Sequence, residues 1–135
     1  MWLFTDFGFF SLVEKPGDRA DGMLTVRGRV RSDMEALRDR YLPSASEVVA
    51  LERSDYRYRF RAPKDEVTRA IARIAIGIDY PDFKASVEQR QGWMSHDIYA
   101  TVWSTLRTLS QLDRQSEDDG CLSTARSGGD PGPVR

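Results

Sequence analysis

A chain of 135 residues with 20 Lys+Arg, 21 Asp+Glu and a formal net charge of −1 has the length of one domain. Its single cysteine excludes an internal disulfide and a cysteine-ligated zinc cluster, and its single histidine excludes any site built on two imidazoles. The near-balance of charge also sets the chain apart from dedicated nucleic-acid binders, which carry a clear basic excess.

Residues 2–13, WLFTDFGFFSLV, are rich in aromatic and β-branched types, and both parities are largely apolar. This pattern predicts one continuous strand at the centre of a sheet. Pro16-Gly17 and Asp21-Gly22 are turn signals. Residues 23–31 then alternate, with Leu24, Val26, Gly28 and Val30 on one face and Thr25, Arg27, Arg29 and Arg31 on the other, which predicts a second strand. The run Ser32-Asp33-Met34-Glu35 fits a capping box at the start of a helix that buries Met34, Leu37 and Tyr41 and stops at Pro43.

Residues 47–51, EVVAL, suit a short strand. A second alternation follows, with Tyr56, Tyr58 and Phe60 opposite Arg57, Arg59 and Arg61. Pro63 suits the first turn of the next helix, where Val67, Ile71, Ile74 and Ile78 form an apolar stripe. A short helix over 82–91 turns Phe83 and Val87 inward, and Asp82 of the DYPD segment caps it. Beyond Gly92 a last helix carries Ile98, Tyr99, Val102, Trp103, Leu106 and Leu109 as a broad apolar face.

The order predicts an α+β fold: a two-layer sandwich with about three antiparallel strands in the order 2-1-3 and three to four helices on one face. Residues 1–112 are expected to form this single domain. Residues 113–135 hold only Leu122 and Val134 from the Leu/Ile/Val/Phe set and are expected to be a disordered tail, with Cys121 as a free thiol. The apolar N-terminal run contains Asp6, lacks a basic leader and is too short to span a bilayer, so no membrane association and a cytoplasmic location are expected.

The opening WLFTDFGFFSLVEKP, with DYRYR and DYPDFK further on, resembles a group of small bacterial proteins to which no activity is attached. The resemblance runs over most of residues 1–110. It implies a self-standing bacterial domain and assigns no functional residue.

Neither GxGxxG, nor GxxxxGK[ST], nor HExxH occurs, and no metal or organic cofactor is expected. His96, beside Asp97 near the start of the last helix, marks the place of a small enzyme site as one alternative. The pair of arginine ladders is the more distinctive feature. If helices cover the apolar parity of both strands, Arg27, Arg29 and Arg31 share one open face with Arg57, Arg59 and Arg61. Six guanidinium groups within about 15 Å repel one another unless neutralised, and salt screens exposed charges only beyond roughly a Debye length. Asp6 is the only charge inside the first apolar run, and among arginines it is better placed than in an apolar layer. The parity Trp2, Phe4, Asp6, Gly8 and Phe10 is therefore assigned to the arginine face.

The expected site is thus Phe4, Asp6, Phe10, Arg27, Arg29, Arg57 and Arg59. Its expected use is non-enzymatic: a binding or regulatory module for protein association or homodimerisation. Single-stranded nucleic acid, with bases stacked on rings and phosphates held by arginine, is the alternative through the same face. Against both stands an ordinary solvated surface in which Glu14, Glu47, Glu52 and the acids of the tail neutralise the ladders.

Overall fold

A computed structural model describes residues 1–112. The chain divides into two compact units, Met1–His96 and a second beginning at Asp97. All strands belong to the first unit. They are β1 (Trp2–Thr5), β2 (Gly8–Val13), β3 (Met23–Gly28), β4 (Val49–Ala50) and β5 (Tyr58–Pro63). The helices are α1 (Asp18–Asp21), α2 (Arg31–Tyr41), α3 (Lys64–Ile76), α4 (Phe83–Gln91) and α5 (Trp93–Leu106), the last running across the unit boundary.

The fold is α+β, with one five-stranded antiparallel sheet in the order β1-β2-β3-β5-β4. Both the strand number and the 2-1-3 order expected from the sequence are corrected here. Residues 2–13 are a hairpin, in which Thr5 pairs with Gly8 and Asp6-Phe7 form the turn. The Thr5 hydroxyl accepts from the Phe7 N–H at 3.3 Å and donates to the Gly8 carbonyl at 2.9 Å, so it serves polar backbone that a turn would leave bare. Because the run doubles back, β2 pairs with β3, and β5 pairs antiparallel with β3. The strand at the centre is therefore β3.

A two-residue turn keeps directly paired residues on one face, so the side-chain parity changes across it. Leu3 and Thr5 share a face with Gly8, Phe10 and Leu12; Trp2 and Phe4 share the other with Phe9, Ser11 and Val13. The first of these faces is the core. Phe10 and Phe60 are 0% and 1% exposed and cluster with Leu12, Val26, Ala62, Met34, Leu37, Val67 and Ala70, so the sheet buries this side against α2 and α3. Backbone and helix meet closely there: a side chain at Gly28 would stand 2.5 Å from the Met34 sulfur.

Helix starts and ends are partly as expected. Pro43 lies just beyond α2, and Asp82 Oδ1 accepts from the Lys84 and Ala85 N–H groups at 2.9 and 3.4 Å as the cap of α4. The capping box at Ser32 does not form. The N-cap is Val30, two residues earlier, and Glu35 pairs with Arg31 at 3.0 Å. On α3 the buried positions are Val67 and Ala70; Ile71 and Ile74 pack against the core from its rim, and Ile78 lies beyond the helix and is exposed. On α5, Ile98, Trp103 and Leu106 are exposed. No described helix is long and apolar enough to cross a membrane. The expected tail and Cys121 lie outside the described residues.

Two measurements check this core. Phe60→Ala is expected to cost about 3–5 kcal/mol in urea denaturation, whereas Ile74→Ala at the rim costs less than about 2 kcal/mol. Burial of Asp33 in the first turn of α2, with its Cβ 2.9 Å from the place a Gly8 side chain would take, pushes its carboxyl up to about 6. A raised folded-state pKa stabilises below the unfolded value and loses that stabilisation as pH rises through about 6. Asp33→Asn is therefore expected to be more stabilising, relative to wild type, at pH 7.5 than at pH 5.

Candidate functional site

The face of the sheet opposite α2 and α3 carries the arginines. On β3 and β5 the register sets Arg27 directly opposite Arg59 and Thr25 opposite Arg61, while Ser11 and Val13 of β2 pair with Arg27 and Thr25. Alternation puts all of these side chains on one side of the sheet. Trp2, Phe4 and Phe9 extend the same side through β1 and β2. The Phe4 and Phe9 ring centroids are 4.6 Å apart, Trp2 meets Phe9 edge-on at 5.8 Å, and Phe9 reaches Tyr56 at 6.4 Å. Trp2 is 65% exposed. Tyr56 precedes β5 and so escapes its parity: the Arg27 and Arg29 guanidinium carbons each lie 4.5 Å from its ring centroid.

The arginines differ in how their charge is answered. Arg29 makes a forked contact with Asp55, at 3.3 Å from Nε and 2.7 Å from Nη2. Arg61 donates from Nε to Asp18 at 2.8 Å and from Nη2 to Asp21 at 2.7 Å. Asp18 is 2% exposed and sits in α1, a single helical turn between Gly17 and Gly22, which adopt φ of 91° and 66°. Burial would raise the Asp18 carboxyl, but the Lys15 N–H, the Thr25 hydroxyl and Arg61 all donate to it and hold it below the usual carboxylate range. The Arg61 guanidinium is in turn held above its ordinary value, by its bonds to Asp21 and Asp18.

Arg27 and Arg59 have no such partners. Arg27 Nη2 donates to the Ser11 hydroxyl at 2.8 Å, and Arg59 Nη2 donates to the Ser54 hydroxyl at 2.9 Å and the Tyr56 carbonyl at 3.3 Å. The Nε of each is buried without an acceptor. Among the described residues no carboxylate lies within 4.0 Å of either guanidinium. Like charges directly opposite on neighbouring strands oppose the pairing, and an unsatisfied buried donor adds a desolvation cost.

The structure brings Phe4, Arg27, Arg29 and Arg59 to one face. It does not bring Asp6 or Phe10 there. Phe10 is in the core because the Asp6-Phe7 turn reverses the parity. Asp6 is buried in that turn, where its Oδ2 accepts from the Ser86 hydroxyl and from Arg90 Nε, each at 2.9 Å. Arg57 is exposed ahead of β5, with its guanidinium carbon 5.6 Å from the Tyr58 ring. Arg31 has left the ladder for α2. Two of the acids expected to neutralise the ladders act elsewhere, Glu14 on Lys64 and Arg19 and Glu47 on Arg38, and the acids of the tail lie outside the described residues. Phe9, Tyr56, Asp18 and Asp55 were not anticipated. The signal for Phe9 was the Asp6–Gly8 interruption of the apolar run; Asp18, Asp55 and Tyr56 carry no pattern that places them beside the ladders.

His96 lies in the first turn of α5, and its N–H donates to the Gly92 carbonyl. No group of three or more His, Cys, Asp or Glu among the described residues is arranged to hold a metal ion.

Asp18 is the acid on which this face depends, and its depressed folded-state pKa fixes the sign of a test. The stabilisation it supplies is present above the unfolded carboxylate value and is lost as pH falls through the folded one. Asp18→Ala is expected to cost about 1–3 kcal/mol at pH 7 and to unfold with a shallower acid dependence below pH ~4 than wild type. No protein-family model, curated protein or solved structure matches the chain.

Proposed function

We propose that the chain is a binding module whose arginine and aromatic sheet face docks an acidic protein segment. The observation that carries the reading is the Arg27–Arg59 pair, opposed across β3 and β5 with no carboxylate partner among the described residues, and bordered by exposed Trp2 and the partly buried rings of Phe4 and Phe9. A partner carboxylate there supplies a charge that the described residues do not, and the rings supply apolar area next to it. Face-to-face homodimerisation is the weaker form of this reading, because it would set each unneutralised pair against the same positive surface. The reading is that of a cytoplasmic, non-enzymatic protein.

Single-stranded nucleic acid is the second reading, favoured by the contiguous rings of Trp2, Phe4 and Phe9 beside the Arg27 and Arg59 guanidinium groups, which pair with no acid among the described residues. The net charge of −1 weighs against it.

Calorimetric titration separates the two. Poly-L-glutamate is expected to bind wild type and to weaken with added salt, and Arg27→Gln/Arg59→Gln is expected to abolish that binding while the protein stays folded. Phe9→Ala should weaken binding by about 1–2 kcal/mol, as for a ring at the centre of a contact. Tighter binding to oligothymidylate, with a log-affinity slope of roughly 0.7 per phosphate contact against log salt, would favour the nucleic-acid reading instead. Absence of binding to both polyanions overturns the docking face altogether.

A further inference from the structure

Beside Arg59 the same face carries a hollow of about 450 Å³, lined by Lys15, Thr25, Ser46, Val49, Phe60, Arg59 and Arg61. Among the described residues, three of its lining side chains are cations and none is an acid. We propose that this hollow is a phosphoryl-binding site, and that a phosphorylated side chain of the docking partner is what it anchors. The inference deepens the docking reading and rests on it only for the carrier of the phosphoryl group.

The charges around the hollow favour a dianion. Arg61 is already answered by Asp18 and Asp21, a trio with one negative charge in excess. Lys15 and Arg59 line the hollow, and Arg27 stands directly opposite Arg59; among the described residues none of the three has an acid partner. Two positive charges are left over. A carboxylate would answer one of them. A phosphate group above its second pKa of about 6 answers both and offers three acceptor oxygens. The donors are also of the right kind: a planar guanidinium that can contact two oxygens at once, and an exposed ammonium that can swing to a third. Arg61 is held in place by Asp18 and Asp21, and Asp18 is held in turn by Thr25, so one wall of the hollow is built before any ligand arrives.

Thermal unfolding of the full chain in sodium phosphate, against sodium chloride at equal ionic strength, tests the site. Phosphate is expected to raise Tm in a saturable way at pH 7.5, and its apparent affinity to fall about fourfold or more at pH 5.5 as the dianion is lost. Lys15→Gln and Arg59→Gln should each weaken phosphate binding at least tenfold, and Arg69→Gln on the exposed side of α3 should leave it unchanged. Lys15 is exposed and its side chain makes no hydrogen bond, so its replacement keeps the test valid if Arg59→Gln fails to fold. Equal shifts in phosphate and chloride, or a Lys15→Gln variant that binds phosphate as wild type does, would overturn the site. A Gly-Ser peptide with one phosphoserine should bind at least tenfold more tightly than inorganic phosphate, and its unphosphorylated counterpart should not bind. Equal affinity for the peptide and the free ion overturns the carriage by a partner. Phosphate binding without polyglutamate binding leaves the site standing and removes the broader docking face; the reverse result removes the site alone.

Discussion

Everything about the sheet follows from a two-residue turn. Thr5 and Gly8 face each other across Asp6-Phe7, so a twelve-residue apolar run becomes two strands and its parity inverts midway. That inversion buries Phe10 rather than Phe9, places β2 against β3, and leaves β3 in the centre. The turn is held from outside the hairpin. Buried Asp6 accepts from Ser86 and Arg90 of α4, and Gln91 donates to the Thr5 carbonyl at 3.4 Å. A buried carboxylate is tolerated only when paired and hydrogen-bonded, and α4 supplies both forms of compensation.

The two faces of the sheet solve opposite problems. On one, aliphatic and aromatic side chains of β2, β3 and β5 close on α2 and α3, and burial of apolar area drives the packing. On the other, charge must be arranged so that the strands pair in spite of it. At the β3–β5 end Asp18 and Asp21 take up Arg61, and outside the ladder Asp55 takes up Arg29. Between them, among the described residues, Arg27 and Arg59 are softened by hydroxyls, a carbonyl and the Tyr56 ring and by no carboxylate. The cation–ring contact lowers part of the cost of that juxtaposition but supplies no negative charge. The positive field is therefore concentrated at the middle of the face and opens toward the hollow by Lys15.

Helix positions illustrate how weakly local signals compete with packing. Ser32-Asp33-Met34-Glu35 satisfies the capping-box pattern, yet α2 starts at Arg31, where the Arg31–Glu35 pair forms instead. Asp33 then lies half-buried beside Gly8, at a cost seen in its raised carboxyl pKa. Met34 comes to rest against the backbone of Gly28 with no room for a side chain between them. The missing cap is worth only about 1 kcal/mol.

By itself the sequence determined the α+β class, the helices over α2, α3 and α4, the Asp82 cap, and the arginine-bearing parity of β3 and β5, because each is written in short-range periodicity or in one capping residue. The place of Phe4 on the arginine face rested on an unbroken parity over residues 2–13 that the Asp6-Phe7 turn interrupts. Strand order, the central place of β3 and the direct opposition of Arg27 to Arg59 were decided only by the tertiary structure, since register is a relation between distant segments that no local period encodes. The same holds for the neutralising acids: Asp18 reaches Arg61 across 43 positions and Asp55 reaches Arg29 across 26. Asp6 shows the limit most plainly. Charge patterning along the chain points it to the arginine ladders, whereas the folded chain buries it in the hairpin turn with Ser86 and Arg90 as partners, 80 and more positions away.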